Sequence, residues 1–112
     1  MFIEPRLIEY YPKLEIEFNK KTIGSELDIY IPELSLGFEI NGAFHYDIIF
    51  GERVLEHTQR NDAEKRNLCK KAGIKLVEID ARRAGGYVTK KLGWKYLRMI
   101  MEEIDKCTKK ND

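Results

Sequence analysis

The sequence predicts an α/β domain on one central, mixed four-stranded sheet, with elements in the order helix, three strands, helix, strand, helix. Three observations predict it. Apolar residues alternate with polar ones in three short runs between Leu14 and Asn41, the period of half-buried strands. Two longer segments, about Val54 to Ala72 and Thr89 to Cys107, carry apolar residues at three- and four-residue steps, the period of amphipathic helices. Between those helices lies one compact apolar run, Ile74 to Ile79, so a helical crossover joins the third and fourth strands and permits them to pair in parallel.

The elements follow in chain order. Ile3 to Tyr11 suits a short helix, with Pro5 tolerated in its first turn and Pro12 discouraging its continuation. Leu14, Ile16 and Phe18 alternate with Glu15 and Glu17, which predicts the first strand. Leu27, Ile29 and Ile31 set against Glu26, Asp28 and Tyr30 predict the second, and Leu36, Phe38 and Ile40 set against Gly37, Glu39 and Asn41 predict the third. Pro32 to Ser35 is short enough for a tight hairpin connection. The pattern breaks from Gly42 to about Gly51, an irregular loop, and Gly73 is placed to end the following helix. After the fourth strand, Asp80 to Tyr87 reads as a basic loop containing Arg82, Arg83, Gly85 and Gly86. The last helix has the stripe Leu92, Tyr96, Met99, Ile100 and Ile104.

Length and composition bound the rest. At 112 residues the chain fits a single domain spanning 1–112. Hydrophobic residues at 43% and charged ones at 35% exclude disorder as the default. The formal charge of +1 conceals an asymmetry: Met1 to Asp62 holds 6 basic and 12 acidic residues, whereas Ala63 to Asp112 holds 14 basic and 7 acidic. No apolar run approaches the ~18 residues of a membrane span, and the first residues lack a signal-peptide pattern, so the expectation is a cytoplasmic protein, neither secreted nor membrane-bound. With two cysteines, Cys69 and Cys107, and two histidines, a zinc site of the Cys/His type lacks ligands, and both thiols are expected to pack as small apolar groups.

The hairpin brings chemistry into view. With Glu33 and Leu34 in the turn, Ile31 faces Leu36, Ile29 faces Phe38 and Leu27 faces Ile40, so every apolar residue meets an apolar partner. The same register sets Asp28 opposite Glu39, and Glu26 opposite Asn41. Two carboxylates that close repel by up to ~1 kcal/mol when solvated, and more when buried. Two readings of the pair stand level. Either the acids splay into water with Lys20, Lys21 or Lys65 softening the repulsion, or they converge on a divalent cation with oxygen ligands and retained waters, as Mg²⁺ prefers. His45, four residues past Asn41, is able to move protons near neutral pH, although a solvated loop histidine is the commoner case. Asp62 on the following helix is a further acid.

The run ELDIYIPELSLGFEINGAFHYD, followed after a gap by RNDAEKRNLCKKAGIKLVEI, resembles the core of the very-short-patch-repair-like endonucleases. These form a branch of the PD-(D/E)XK nuclease superfamily that includes phage proteins and free-standing or intron-associated homing endonucleases. The resemblance spans about Leu14 to Ile79. It rests on an Asp in the strand LDIYIPEL, an E-x-N-G strand end, a His soon after that Gly, and an Asp on a helix eleven residues before the Gly that precedes the last strand.

The resemblance implies a restriction-endonuclease-like core, with Asp28 as the central metal-binding aspartate and Glu39 as the second acidic position. The motif's lysine position falls on Asn41, a departure from the general superfamily that passes the lysine's role to another group. His45 matches the branch's active-site histidine, Asp62 its helix aspartate, and Glu4 its first-helix glutamate, with Glu9 the alternative. The implied activity is Mg²⁺-dependent hydrolysis of phosphodiester bonds in double-stranded DNA, with Mn²⁺ a candidate substitute. Asp28 and Glu39 would hold the ion, with the Ile40 carbonyl available as a neutral oxygen ligand.

On this reading the basic half faces DNA: Gln59, Lys65, Lys70, Lys71, Arg82, Arg83, Lys90 and Lys91 are candidate contacts, weighed against ordinary solvated helix faces. Cutting both strands would call for a homodimer, through the last helix, or for sequential nicking. The competing functions are a catalytically inactive DNA-binding module of the same fold and a mismatch- or junction-specific nicking enzyme.

Overall fold

The computed structural model describes residues 3–21, 23–41, 52–81 and 90–110. Among these, the chain forms α1 (Ile3–Tyr10), β1 (Glu17–Lys20), β2 (Leu27–Ile31), a 3₁₀ turn (Pro32–Leu34), β3 (Leu36–Asn41), α2 (Glu52–Ala72), β4 (Lys75–Asp80) and α3 (Lys90–Lys110). The four strands make one mixed sheet in the order β1-β2-β3-β4. β1 and β3 run antiparallel to β2, while β4 runs parallel to β3, as the crossover through α2 permits. The expected α/β order is thus observed, flanked by three helices.

The local chemistry explains most boundaries. The 3₁₀ turn closes with Ser35 in the left-handed region (φ 48°), its N–H donating to the Pro32 carbonyl at 3.1 Å. Gly73 ends α2 with φ 73°; its N–H donates to Lys70 O at 3.2 Å and Ile74 N–H donates to Cys69 O at 2.8 Å. That pair of bonds is a Schellman cap, completed by apolar contact between Ile74 and Cys69.

The start of the first strand and the stripe of the last helix depart from expectation. The first strand starts at Glu17 rather than Leu14, because the register Phe18↔Ile29 leaves residues ahead of Ile16 beyond the end of β2, where Pro32 opens the turn. Leu14 and Ile16 still pack against the core ahead of the strand. In α3, Leu97 joins Tyr96, Ile100 and Ile104 in the core while Met99 is 40% exposed. Met99 lies about 100° around the helix from Ile100, which turns it off the buried stripe.

The two faces of the sheet are covered differently. On one, Ile29, Ile31, Leu36, Phe38 and Ile79 pack against Ile3 and Leu7 of α1 and against the α3 stripe. Tyr11, just past α1, ties the two helices further by donating from its hydroxyl to Asp105 Oδ1 at 2.9 Å. On the other face, under α2, the apolar cluster is small: Leu27, Cys69 and Ile74, with Ile23, Tyr30 and Leu76 at its margin. Leu27 therefore packs toward α2 rather than facing Ile40. The remainder of that face is polar, and it carries the candidate site.

Candidate functional site

Alternation along each strand decides which residues reach the α2 face. The hairpin register is the predicted one, Ile31↔Leu36, Tyr30↔Gly37 and Ile29↔Phe38. One step further, Asp28 and Glu39 meet through side chains rather than through the backbone ladder. Asp28 Oδ2 accepts the Ile40 N–H at 2.8 Å, and Glu39 Oε2 accepts the Asp28 N–H at 3.4 Å. Each carboxylate thus reaches across to its neighbour's strand, which fixes the orientation of both.

Glu39 lies on an interior strand and is only 6% exposed, the least accessible acid among the described residues. Its carboxyl is pushed up to about 7, first by burial and then by its hydrogen bond and charge repulsion with Asp28. Lys65 of α2 opposes this by forming an ion pair with Glu39 Oε1. The ammonium does not cancel the effect, because the net direction stays upward.

The row of acids extends across the sheet. In the parallel register Glu39 stands beside Glu78, and Glu78 is held by Arg66, whose Nε donates at 3.0 and 2.9 Å to the two carboxylate oxygens. Consecutive residues of one helix, Lys65 and Arg66, therefore cover consecutive acids of the sheet. At the strand ends, Asn41 pairs with Asp80, and Asn41 O accepts the Ala81 N–H at 2.7 Å, so β3 and β4 finish at the same edge. Asn41 is 3% exposed. On the other side of Asp28, the β1–β2 register sets Asn19, in the left-handed region at φ 54°, beside it.

The predicted site residues divide as follows. Asp28, Glu39, the Ile40 backbone and Lys65 come together, with Asn41 two residues beyond Glu39 on the same strand. Ile40 contributes its N–H to this cluster. Lys65, expected on phosphate, is seated on Glu39. Asp62 lies one turn before Lys65 on α2, half-buried and with a partner of its own. Gln59, Lys70 and Lys71 are exposed on α2. Glu4, half-buried, and Glu9, exposed, belong to α1, whose core residues pack against the opposite face of the sheet. His45, Arg82 and Arg83, and the side chains of Lys90 and Lys91, lie outside the described residues. Lys65 is among the lysines expected to soften the repulsion of the acid pair, and it sits on Glu39; the engagement of Arg66 with Glu78 was missed.

The donor set is oxygen-only. Among the described residues no group of three or more His, Cys, Asp or Glu side chains is arranged to hold a metal ion. A pair of carboxylates fits Mg²⁺, which typically takes one or two from protein and completes its shell with waters and substrate phosphate oxygens. It does not suit zinc, which favours nitrogen and sulfur ligands in a closed set.

No helix among the described residues is long and apolar enough to cross a membrane. No family model matches the chain, and no solved structure matches it. The chain is similar to the uncharacterized protein 307L of Invertebrate iridescent virus 6, with 36% identity over 58 residues. That match covers 48% of this chain and 29% of the viral protein, so the chain spans less than a third of that relative's length.

Proposed function

We propose that this protein is a metal-dependent DNA endonuclease of the very-short-patch-repair-like type, on a restriction-endonuclease-like core, acting in the cytoplasm as phage-type homing endonucleases do. The observation that carries the reading is the convergence of Asp28 and Glu39: two carboxylates fixed side by side on adjacent strands, one of them buried. Burying an acid next to another acid is unfavourable for folding alone, and such arrangements concentrate at functional sites.

Asp28 and Glu39 would hold Mg²⁺. When bound, the ion supplies positive charge to offset that of a pentacoordinate phosphate and lowers the pKa of an attacking water. The chain's own contributions are positional. The Ile40 N–H holds Asp28 in place, and the Asp28 N–H orients Glu39. Four residues beyond Asn41, His45 is the candidate to take a proton from water, with Asp62 a candidate to orient it. Exposed Lys70 and Lys71 at the end of α2, together with Arg82, Arg83, Lys90 and Lys91 in sequence, give the basic half its role along the DNA backbone. Cleavage of both strands proceeds by sequential nicking or by a homodimer, whose contact is not the apolar stripe of α3, because Tyr96, Leu97, Ile100 and Ile104 are buried in the core of the single chain.

The test is supercoiled plasmid incubated with the purified protein and Mg²⁺, against EDTA and against Asp28→Ala. Nicking that needs the metal and disappears in the variant is expected; nicking that persists in Asp28→Ala would overturn the assignment. One observation favours the second reading, an inactive DNA-binding module: Lys65 already occupies Glu39 Oε1. Salt-sensitive DNA binding without cleavage at any Mg²⁺ or Mn²⁺ concentration identifies that case.

A further inference from the structure

We infer that Lys65 is a resident counter-ion that competes with a divalent cation for Glu39, so that this one side chain sets the metal affinity of the acid pair. The inference rests on the reading of Asp28 and Glu39 as metal-holding carboxylates. It concerns what must leave the site before an ion enters.

Both oxygens of Glu39 are engaged. Oε1 carries the Lys65 ammonium and Oε2 faces the Asp28 N–H. Of Asp28, Oδ2 accepts from Ile40. The Lys65 side chain is 19% exposed and that of Glu39 8%, so the pair is poorly screened by water. A divalent ion on Glu39 Oε1 would stand within a few ångströms of the ammonium. At that distance like charges in a partly buried site repel strongly, and both cannot keep the same oxygen. Occupation by metal and occupation by Lys65 therefore exclude each other.

The chemistry of lysine suits such a role. Its ammonium is a point charge on a flexible four-carbon stem, able to swing away without disturbing the helix backbone. Arg66, the next residue, presents a contrast: its Nε–H is shared between both Glu78 oxygens and its Nη2 lies 2.9 Å from Oε1, a planar guanidinium edge set on one carboxylate. The sheet thus carries one replaceable cation and one clamped cation side by side. The replaceable one sits where Asp28 adds a second carboxylate, and Asp28 is what lets an incoming ion outcompete a monovalent ammonium.

The experiment measures binding of metal alone to the full chain, without DNA. Mn²⁺ binding is followed by loss of its free-ion electron paramagnetic resonance signal, and Mg²⁺ binding by calorimetry. The chains compared are wild type, Lys65→Gln, Lys65→Met and Asp28→Asn. The glutamine variant keeps a hydrogen-bond donor for Glu39, so it protects the test against a methionine variant that fails to fold. The expected result is at least ten-fold tighter Mn²⁺ binding in Lys65→Gln, and a melting temperature that is below wild type without metal and recovers when metal is added. Unchanged or weaker binding in Lys65→Gln, with wild type binding normally, would overturn the competition while leaving the metal-site reading intact. If neither wild type nor Lys65→Gln binds metal, the metal-site reading itself fails and takes this inference with it. Metal binding as inferred here without plasmid nicking would refute only the nuclease activity.

Discussion

The two faces of the sheet solve opposite problems. The α1 and α3 face is apolar: Phe38, Ile31, Leu36, Ile100 and Ile104 are fully buried, and Ile29 and Ile79 are 3% exposed or less. The α2 face carries Asp28, Glu39 and Glu78 across three adjacent strands, answered by Lys65 and Arg66 from above. Stability is concentrated on the first face and unfavourable charge on the second. A domain of this size can hold a buried acid beside a second one because the opposite face supplies a continuous core to offset it.

Truncating the apolar face should give the largest effect on stability. Phe38→Ala removes a fully buried aromatic ring at the centre of the sheet. It should destabilise by about 3–5 kcal/mol in urea unfolding. A loss under ~1 kcal/mol would mean that the core lies elsewhere.

The next effect separates the faces by pH. Glu39 is raised in the folded chain from 4.5 to about 7, so its neutral form is favoured by folding. The group's contribution is therefore fully present below about 4.5 and is lost as pH rises to about 7. Metal-free wild type should lose on the order of 2 kcal/mol from this source across that window. Glu39→Gln should flatten that part of the profile, and Mg²⁺ should restore wild-type stability above the window. Identical pH profiles for the two chains would contradict the burial of a strained acid.

How much of this was legible beforehand follows from which residues act through periodicity. Strand alternation and the hairpin register were readable because a one-residue slip would have turned Ile29, Ile31 and Phe38 out of the core. The same register put Asp28 beside Glu39. What the pattern did not carry is the pairing of α2 with the sheet. Lys65 could be named only as one of three lysines near the acids, and Arg66 looks like any solvated arginine on a polar helix, because their partners depend on the rotation of α2 over β3 and β4. The late start of β1 was likewise hidden, since Leu14 and Ile16 alternate as a strand does but Leu14 lies past the end of β2. Leu27 was misplaced because the hairpin's backbone pairing gives way to the side chain of Asp28 at Ile40.

Smaller effects refine the contrast. Arg66→Ala leaves Glu78 unclamped at a partly exposed site, and the loss should stay within about 1 kcal/mol by thermal melting. Smaller again is the Lys75–Glu103 pair that links β4 to α3 at 3.1 Å. Lys75, with Lys106 assisting, holds the Glu103 carboxyl below its usual value, so its contribution is present at neutral pH and lost as pH falls through that lowered value. Glu103→Gln should change stability at pH 7 by no more than ~0.5 kcal/mol, and a larger change would show that charge also supports the apolar face.

The most direct test puts one residue from each face into a single plasmid-nicking measurement with Mg²⁺. Asp28→Asn keeps the shape of the acid pair and removes one charge, whereas Ile100→Val trims one methyl group from the core. Asp28→Asn should lose at least a hundred-fold in nicking rate with its fold retained, while Ile100→Val should melt at a lower temperature and nick at the wild-type rate. Wild-type nicking by Asp28→Asn would contradict the assignment of Asp28.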